Sequence, residues 1–147
     1  MSGARVICFG NPWHGDDGFG HHVFLRLPPG LEAVDAGTAG LNALGHFEDC
    51  ARAVLVDAVR TGARVGTVHR LVPGDLEAPG GEFSLHDLGV TSLLAALDAQ
   101  PDVVLIGAEV GELQPFTNRL SPALEAAVPT AVQLVLREVT NSAGSVA

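Results

Sequence analysis

Four apolar residues, Val6-Ile7-Cys8-Phe9, run directly into the stretch Gly10-Asn11-Pro12-Trp13-His14-Gly15-Asp16-Asp17-Gly18-Phe19-Gly20. The apolar run has no alternation, so it reads as a strand buried on both faces. The glycines allow a tight turn, and a helical pattern follows. A strand, a glycine loop and a helix in immediate succession make the opening unit of an α/β fold. Loops of this kind often cradle phosphate with backbone N–H groups and a positive helix end. Here the centre of the loop holds two adjacent carboxylates. They repel an anion and favour a cation or a polarised water. The loop has the shape of a ligand site and the wrong charge for a nucleotide.

The rest of the chain repeats this alternation. Strands are expected over Arg5–Gly10, Leu31–Ala36, Ala53–Val56, Val65–Val72 and Val103–Ala108. Helices are expected over Gly18–Leu27, Ala39–Cys50, Leu85–Ala99 and Ser121–Val139, with Pro73–Glu82 as a loop. The pair Ser121-Pro122 suits an N-cap followed by proline in the first turn. The fourth strand alternates polar and apolar residues and reads as half-exposed or at an edge. Together these elements predict a three-layer α/β/α arrangement, phosphorylase/hydrolase-like. Its twisted sheet is mostly parallel and roughly five-stranded, with helices on both faces. Residues 1–140 are expected to form a single domain and 141–147 a flexible C-terminal tail.

Composition narrows the classes. With 147 residues and 47% hydrophobic content, the chain suits one domain with a sizeable core. Its formal net charge of −9 argues against a nucleic-acid or anionic-membrane binder, which needs basic patches. No stretch has the roughly 20 apolar residues of a membrane span. Met1-Ser2-Gly3-Ala4-Arg5 enters a strand with no signal-peptide plan. A cytoplasmic protein, monomeric by default, is the expectation. The two cysteines, Cys8 and Cys50, have no metal-finger spacing, and Cys8 reads as a small core residue.

In a parallel sheet, ligands bind beyond the carboxyl ends of the strands. Asp16 and Asp17 follow the first strand, Asp35 ends the second and Asp57 ends the third. His86 lies at the start of a helix that leans over the same edge. Asp16 also fits an N-cap for the helix that follows, and Asp35 before Gly37-Thr38 fits an Asx turn. Asp57 extends a fully apolar strand, where a carboxylate needs a partner or a purpose. Carboxylates and a histidine converging there can activate water as a general base, or offer an oxygen/nitrogen site to nickel, zinc or manganese. Spacing leaves both open.

These motifs, in this order, resemble the hydrogenase maturation proteases, the endopeptidases that trim the C-terminus of nickel–iron hydrogenase large subunits. Gly10-Asn11 through Gly15-Asp16-Asp17-Gly18-x-Gly20 resembles the N-terminal signature. Asp35-Ala36-Gly37-Thr38-Ala39-Gly40 is similar to the family's Asp-Gly-Gly-Thr-Ala-Gly-type loop, with Ala36 where glycine is frequent. Leu55-Val56-Asp57-Ala58-Val59 resembles the strand with the second acidic residue, and Ser84-Leu85-His86-Asp87-Leu88-Gly89 the segment with the histidine. The pair His21-His22 departs from the pattern and reads as a solvated turn of helix, while His14, His46 and His69 read as structural or solvated. The resemblance implies catalytic and metal-contacting roles for Asp17, Asp57 and His86. It implies substrate-binding roles for Asn11, Asp16, Gly37, Thr38 and Gly40. The implied substrate is the large-subunit precursor. Its nickel is contacted on the substrate and not held as a resident cofactor. The bond would be broken by an aspartic-type or metal-assisted hydrolysis, with Asp16 or Asp17 as base. An alternative from another class is a non-proteolytic nickel-sensing or metal-handling assembly factor using the same residues.

Overall fold

A computed structural model describes residues 2–38, 40–72 and 101–144 of the chain. The strands are β1 (Ser2–Phe9), β2 (Ala33–Gly37), β3 (Cys50–Val59), β4 (Val68–Leu71) and β5 (Asp102–Glu109). They form one sheet in the order β2-β1-β3-β5-β4. All neighbours pair in parallel except β4, which runs antiparallel to β5 at the edge. The alternating pattern of residues 65–72 is therefore that of an edge strand, as expected. The continuous apolar runs belong to β1, β3 and β5, which lie inside the sheet and are covered on both sides.

Alternate residues of the strands feed two cores. On one face, Phe19 and Val23 of α1 (Phe19–Arg26) pack with Leu124, Val128 and Val135 of α2 (Pro122–Gly144). They cover Val6, Cys8, Val54, Val56, Val104 and Ile106. On the other face, Ala43 and Phe47 cover Ile7, Phe9, Leu55 and Leu105. These two residues come from a 3₁₀ turn, Gly40–Phe47, where an α-helix over Ala39–Cys50 was expected. Gly40 and Gly45 weaken an α-helix, and β3 already claims Cys50.

Three further boundaries differ from the sequence reading. The third strand begins at Cys50 and runs past Asp57 to Val59, because its ladder with β5 continues through Asp57↔Gly107 to Val59↔Glu109. Asp57 is thus inside a strand and not beyond it. The last helix runs to Gly144, so residues 141–144 of the expected tail are helical. It also carries Pro129 without ending there. Pro129 is exposed, so solvent can satisfy the Glu125 carbonyl that loses its usual donor, while the apolar face on either side stays packed. The loop expected at Pro73–Glu82 and the helix expected at Leu85–Ala99 lie outside the described residues. Among the described residues no helix is long and apolar enough to cross a membrane.

Two buried carboxylates hold the sheet to its surroundings. Glu138 of α2 accepts hydrogen bonds from Arg52 of β3 and Arg70 of β4, and Arg52 also donates to Asp102 of β5 at 2.7 Å. Glu109, at the end of β5, accepts from Thr61 N at 2.8 Å, Thr61 Oγ1 at 2.6 Å, Gly62 N at 3.2 Å and His69 Nε2 at 3.1 Å. It fixes the turn between β3 and β4, and gives His69 a structural partner. Burial pushes both carboxyls up, but their donors outweigh it and hold them below the usual carboxylate value. A lowered folded pKa adds stability that is present above the unfolded carboxylate range, about pH 4–5, and lost as pH falls through the folded value. Glu138→Gln is therefore expected to cost about 1–2 kcal/mol at neutral pH, with Arg70 partly solvated. Thermal unfolding followed from pH 7 down to about 3 should then decline less steeply than in the unsubstituted protein; parallel declines would show that Glu138 is not the linked group.

Candidate active site

The strand order makes the place of the site predictable. From β1 the chain crosses through α1 on one face to β2, then through the 3₁₀ turn on the other face to β3. β2 and β3 lie on opposite sides of β1. The chain leaves the carboxyl end of β1 towards β2 and that of β3 towards β4, on opposite sides of this strand pair, so a crevice is expected between those two ends. Asp17 follows β1 and Asp57 lies near the end of β3, so both border that crevice.

Asp57 is fully buried, with 0% exposure. Its Oδ1 accepts from the Ala58 backbone N–H at 2.7 Å. Burial raises its pKa well above the usual value, the Ala58 hydrogen bond lowers it, and the negative charge of Asp17 raises it again. That last influence shows that Asp17 is near enough for its charge to act on Asp57. Asp17 is half-buried, and its N–H donates to the His14 carbonyl at 3.1 Å. Cys8 lies in the same neighbourhood, but burial first, then the charges of Asp35 and Asp57, push its thiol far up. It is an inert core residue. Among the described residues no three His, Cys, Asp or Glu side chains gather at metal-ligand spacing. The third expected contact, His86, lies outside the described residues.

Asp16 has a different role from its neighbour. It does not cap α1, whose N-cap position is Gly18 and carries no side-chain hydrogen bond. Its side chain turns inward, with 2% of the residue exposed. Oδ1 accepts from Ser121 N at 2.6 Å and Oδ2 from Ser121 Oγ at 2.8 Å. Ser121 stands immediately before α2, and its carbonyl receives Glu125 N at 2.9 Å. Asp16 thus clamps the opening loop to the start of the last helix. The join is reinforced by backbone bonds from Gly15 N to Thr117 O at 2.9 Å and from Thr117 N to Trp13 O at 3.1 Å. His22 Nε2 donates to the Asn118 carbonyl at 3.0 Å. The segment 114–121 is a second wall of the site that the sequence reading missed. Ser121-Pro122 was legible as a helix start, but nothing local tells which carboxylate it meets.

The other expected residues form the near rim. Asn11 Oδ1 accepts from Trp13 N at 3.0 Å, which closes a local turn. Asp35 Oδ1 accepts from Gly37 N at 3.3 Å, the expected Asx turn, while Oδ2 receives His21 Nδ1 at 2.6 Å. His21 and His22 are therefore both engaged by the protein and are not a bare solvated turn. Gly37 has φ +57 and open space where a side chain would lie, and its carbonyl accepts Gly10 N at 3.0 Å. Thr38 is exposed and Gly40 opens the 3₁₀ turn.

Two further features matter for what can approach. A Cβ on Gly20 would overlap the Phe9 carbonyl oxygen and lie 2.8 Å from the Val56 oxygen, so only glycine lets α1 sit against β1 and β3. Trp13 and Phe116 stand out of the surface at 64% and 91% exposure. Phe116 also has φ +62, a left-handed conformation that costs a non-glycine residue on the order of 1 kcal/mol.

Asp16→Ala should cost about 1–3 kcal/mol, because two part-buried donors lose their acceptor. Denaturant unfolding reads this directly, and a loss below about 0.5 kcal/mol would deny the clamp its weight. Gly20→Ala is expected to cost about 1–3 kcal/mol by overpacking, against the slight gain usual for this change in a helix. An unchanged midpoint would show that α1 can back away from the sheet.

Comparison with known proteins agrees with this arrangement. A family model for hydrogenase maturation protease matches residues 24–138. The chain is 31% identical to the coenzyme F420 hydrogenase subunit delta of Methanothermobacter thermautotrophicus, over 91% of this chain and 92% of that protein. It is 34% identical to the hydrogenase expression/formation protein HoxM of Cupriavidus necator, over 87% of this chain and 69% of that protein. The solved structure of the hydrogenase maturating endopeptidase HybD from E. coli superposes with a TM-score of 0.82 at 28% identity. That match covers 97% of this chain and 94% of the other. With the family model spanning most of its length, this chain belongs to the hydrogenase maturation protease family.

Proposed function

We propose that the chain removes the C-terminal extension of a nickel–iron hydrogenase large-subunit precursor once nickel has been loaded, acting in the cytoplasm. Asp17, Asp57 and His86 contact that nickel during docking. The metal belongs to the substrate, so the three side chains serve as a checkpoint: they reward a loaded precursor and leave an empty one poorly bound. Beyond family membership, the reading is carried by one observation, the fully buried Asp57 under the charge of Asp17 at the switch point. A buried carboxylate facing another is costly without a cation to face them both. His86 enters through the resemblance of Ser84–Gly89 alone.

Hydrolysis adds water across the peptide bond. The water oxygen joins the carbonyl carbon, the C–N bond breaks, and a proton passes to the leaving nitrogen. Asp17 is the better base than Asp16, since the Asp16 carboxylate is occupied by Ser121. The substrate's nickel, as a Lewis acid, offsets charge developing on the carbonyl oxygen. Asn11, Gly37, Thr38 and Gly40 border the path of the substrate tail, and the small residues there leave room for an extended chain.

Incubation with nickel-loaded precursor, followed by intact-mass measurement, tests the reading. The unsubstituted protein should release a short C-terminal peptide, and Asp17→Asn, Asp57→Asn and His86→Ala should each slow release by about 100-fold or more. Asp57→Asn separates function from folding. A raised folded pKa makes the carboxyl's contribution favourable in acid and lost as pH rises through the folded value. At pH 7 the asparagine variant should therefore unfold at the same or a higher temperature while failing to cut. A variant that cuts normally would remove Asp57 from the site.

A further inference from the structure

We propose that Trp13 and Phe116 form a docking platform that receives an apolar surface of the hydrogenase large-subunit precursor beside its scissile segment. The inference rests on the substrate class given above and extends it to a site of protein contact. Trp13 lies in the same loop as Asp17, and the His14 carbonyl next to it accepts the Asp17 N–H at 3.1 Å. Phe116 reaches the same rim from the opposite wall, because Thr117 N donates to Trp13 O at 3.1 Å. Two large aromatic side chains, 64% and 91% exposed, are thus held on neighbouring backbone segments at the mouth of the candidate site.

Solvent exposure of single apolar residues is ordinary, but among the described residues the two most exposed aromatics stand on hydrogen-bonded neighbouring segments. The platform is also rigid. The Thr117 bonds, the Asp16–Ser121 clamp and the Gln114 side chain filling the space beside Gly15 fix both segments. The positive φ of Phe116 holds an apolar ring outward in a conformation that favours glycine or asparagine. Among the described residues, neither core cluster includes that ring. Pre-ordered aromatic anchors are the side chains that dominate protein–protein contacts, since little entropy is lost when they are covered. The occupant follows from position. Whatever presents its tail to Asp17 and Asp57 must place its own surface over this rim.

Trp13 is the sole tryptophan of the chain, so 5-fluorotryptophan labelling gives a single fluorine resonance. On addition of nickel-loaded precursor that resonance should shift or broaden. Trp13→Ala and Phe116→Asn should each raise the half-saturating precursor concentration for cleavage at least about tenfold while the rate at saturation changes less than about twofold. Asparagine accepts the positive φ of Phe116, so the fold is retained, and unchanged thermal unfolding of that variant checks this. A resonance that stays unmoved at precursor concentrations that saturate cleavage overturns the platform and leaves the endopeptidase reading intact. A resonance that moves on a loaded precursor the protein never cuts upholds the platform and overturns the endopeptidase reading. If neither response is seen, both fall.

Discussion

The carboxylate of Asp16, shared between the backbone and hydroxyl of Ser121, is the interaction on which the site depends. A glycine-rich loop has little intrinsic shape, since its residues visit many backbone conformations. Here the loop is defined from outside, by hydrogen bonds to residues 114–121. With Asp16 turned inward as a fastener, its half-buried neighbour Asp17 is left to other contacts. Two chemically identical neighbours thus receive different tasks from their partners alone. Gly20 completes the arrangement by letting the following helix lie close against β1 and β3.

The sheet then sets what Asp17 faces. Because the chain leaves β1 towards β2 and β3 towards β4, the carboxyl ends of β1 and β3 border the expected crevice, and Asp57 lies near that end of β3, fully buried. Burial and the nearby charge of Asp17 push the Asp57 carboxyl well above the usual value, against the Ala58 hydrogen bond. The structure tolerates this shift at one point and avoids it at others. Glu109 and Glu138, comparably buried, are supplied with donors that hold them ionised. The contrast between a carboxyl that burial pushes up and two that their donors hold down sets Asp57 apart from Glu109 and Glu138.

Much of this was legible in the sequence. The uninterrupted apolar runs of β1, β3 and β5 gave the parallel sheet, and the alternation of residues 65–72 gave the edge. The positions of Asp17 after β1 and of Asp57 near the end of β3 were traceable, because they depend only on where the strands fall along the chain. What was not legible required contacts between distant residues. The role of Asp16 depends on Ser121, which is 105 residues away. The 3₁₀ turn at Gly40–Phe47 and the survival of α2 through Pro129 are tertiary outcomes, decided by which side chains find the core and not by local propensity. The engagement of His21 by Asp35 and of His22 by the Asn118 carbonyl likewise appears only once β2 and the segment before α2 come to rest beside α1.

The span of the Asp16–Ser121 clamp also has a consequence in time. Synthesis delivers Asp16 early, but its partner emerges only after β5 has been made. Until then the opening loop has no fastener, and the carboxylate meant for Ser121 remains solvated beside Asp17. Contacts of such long sequence separation form late and slowly, after much loop-closure entropy has been overcome. The opening loop therefore gains its fastener only once the start of α2 has been made and has docked.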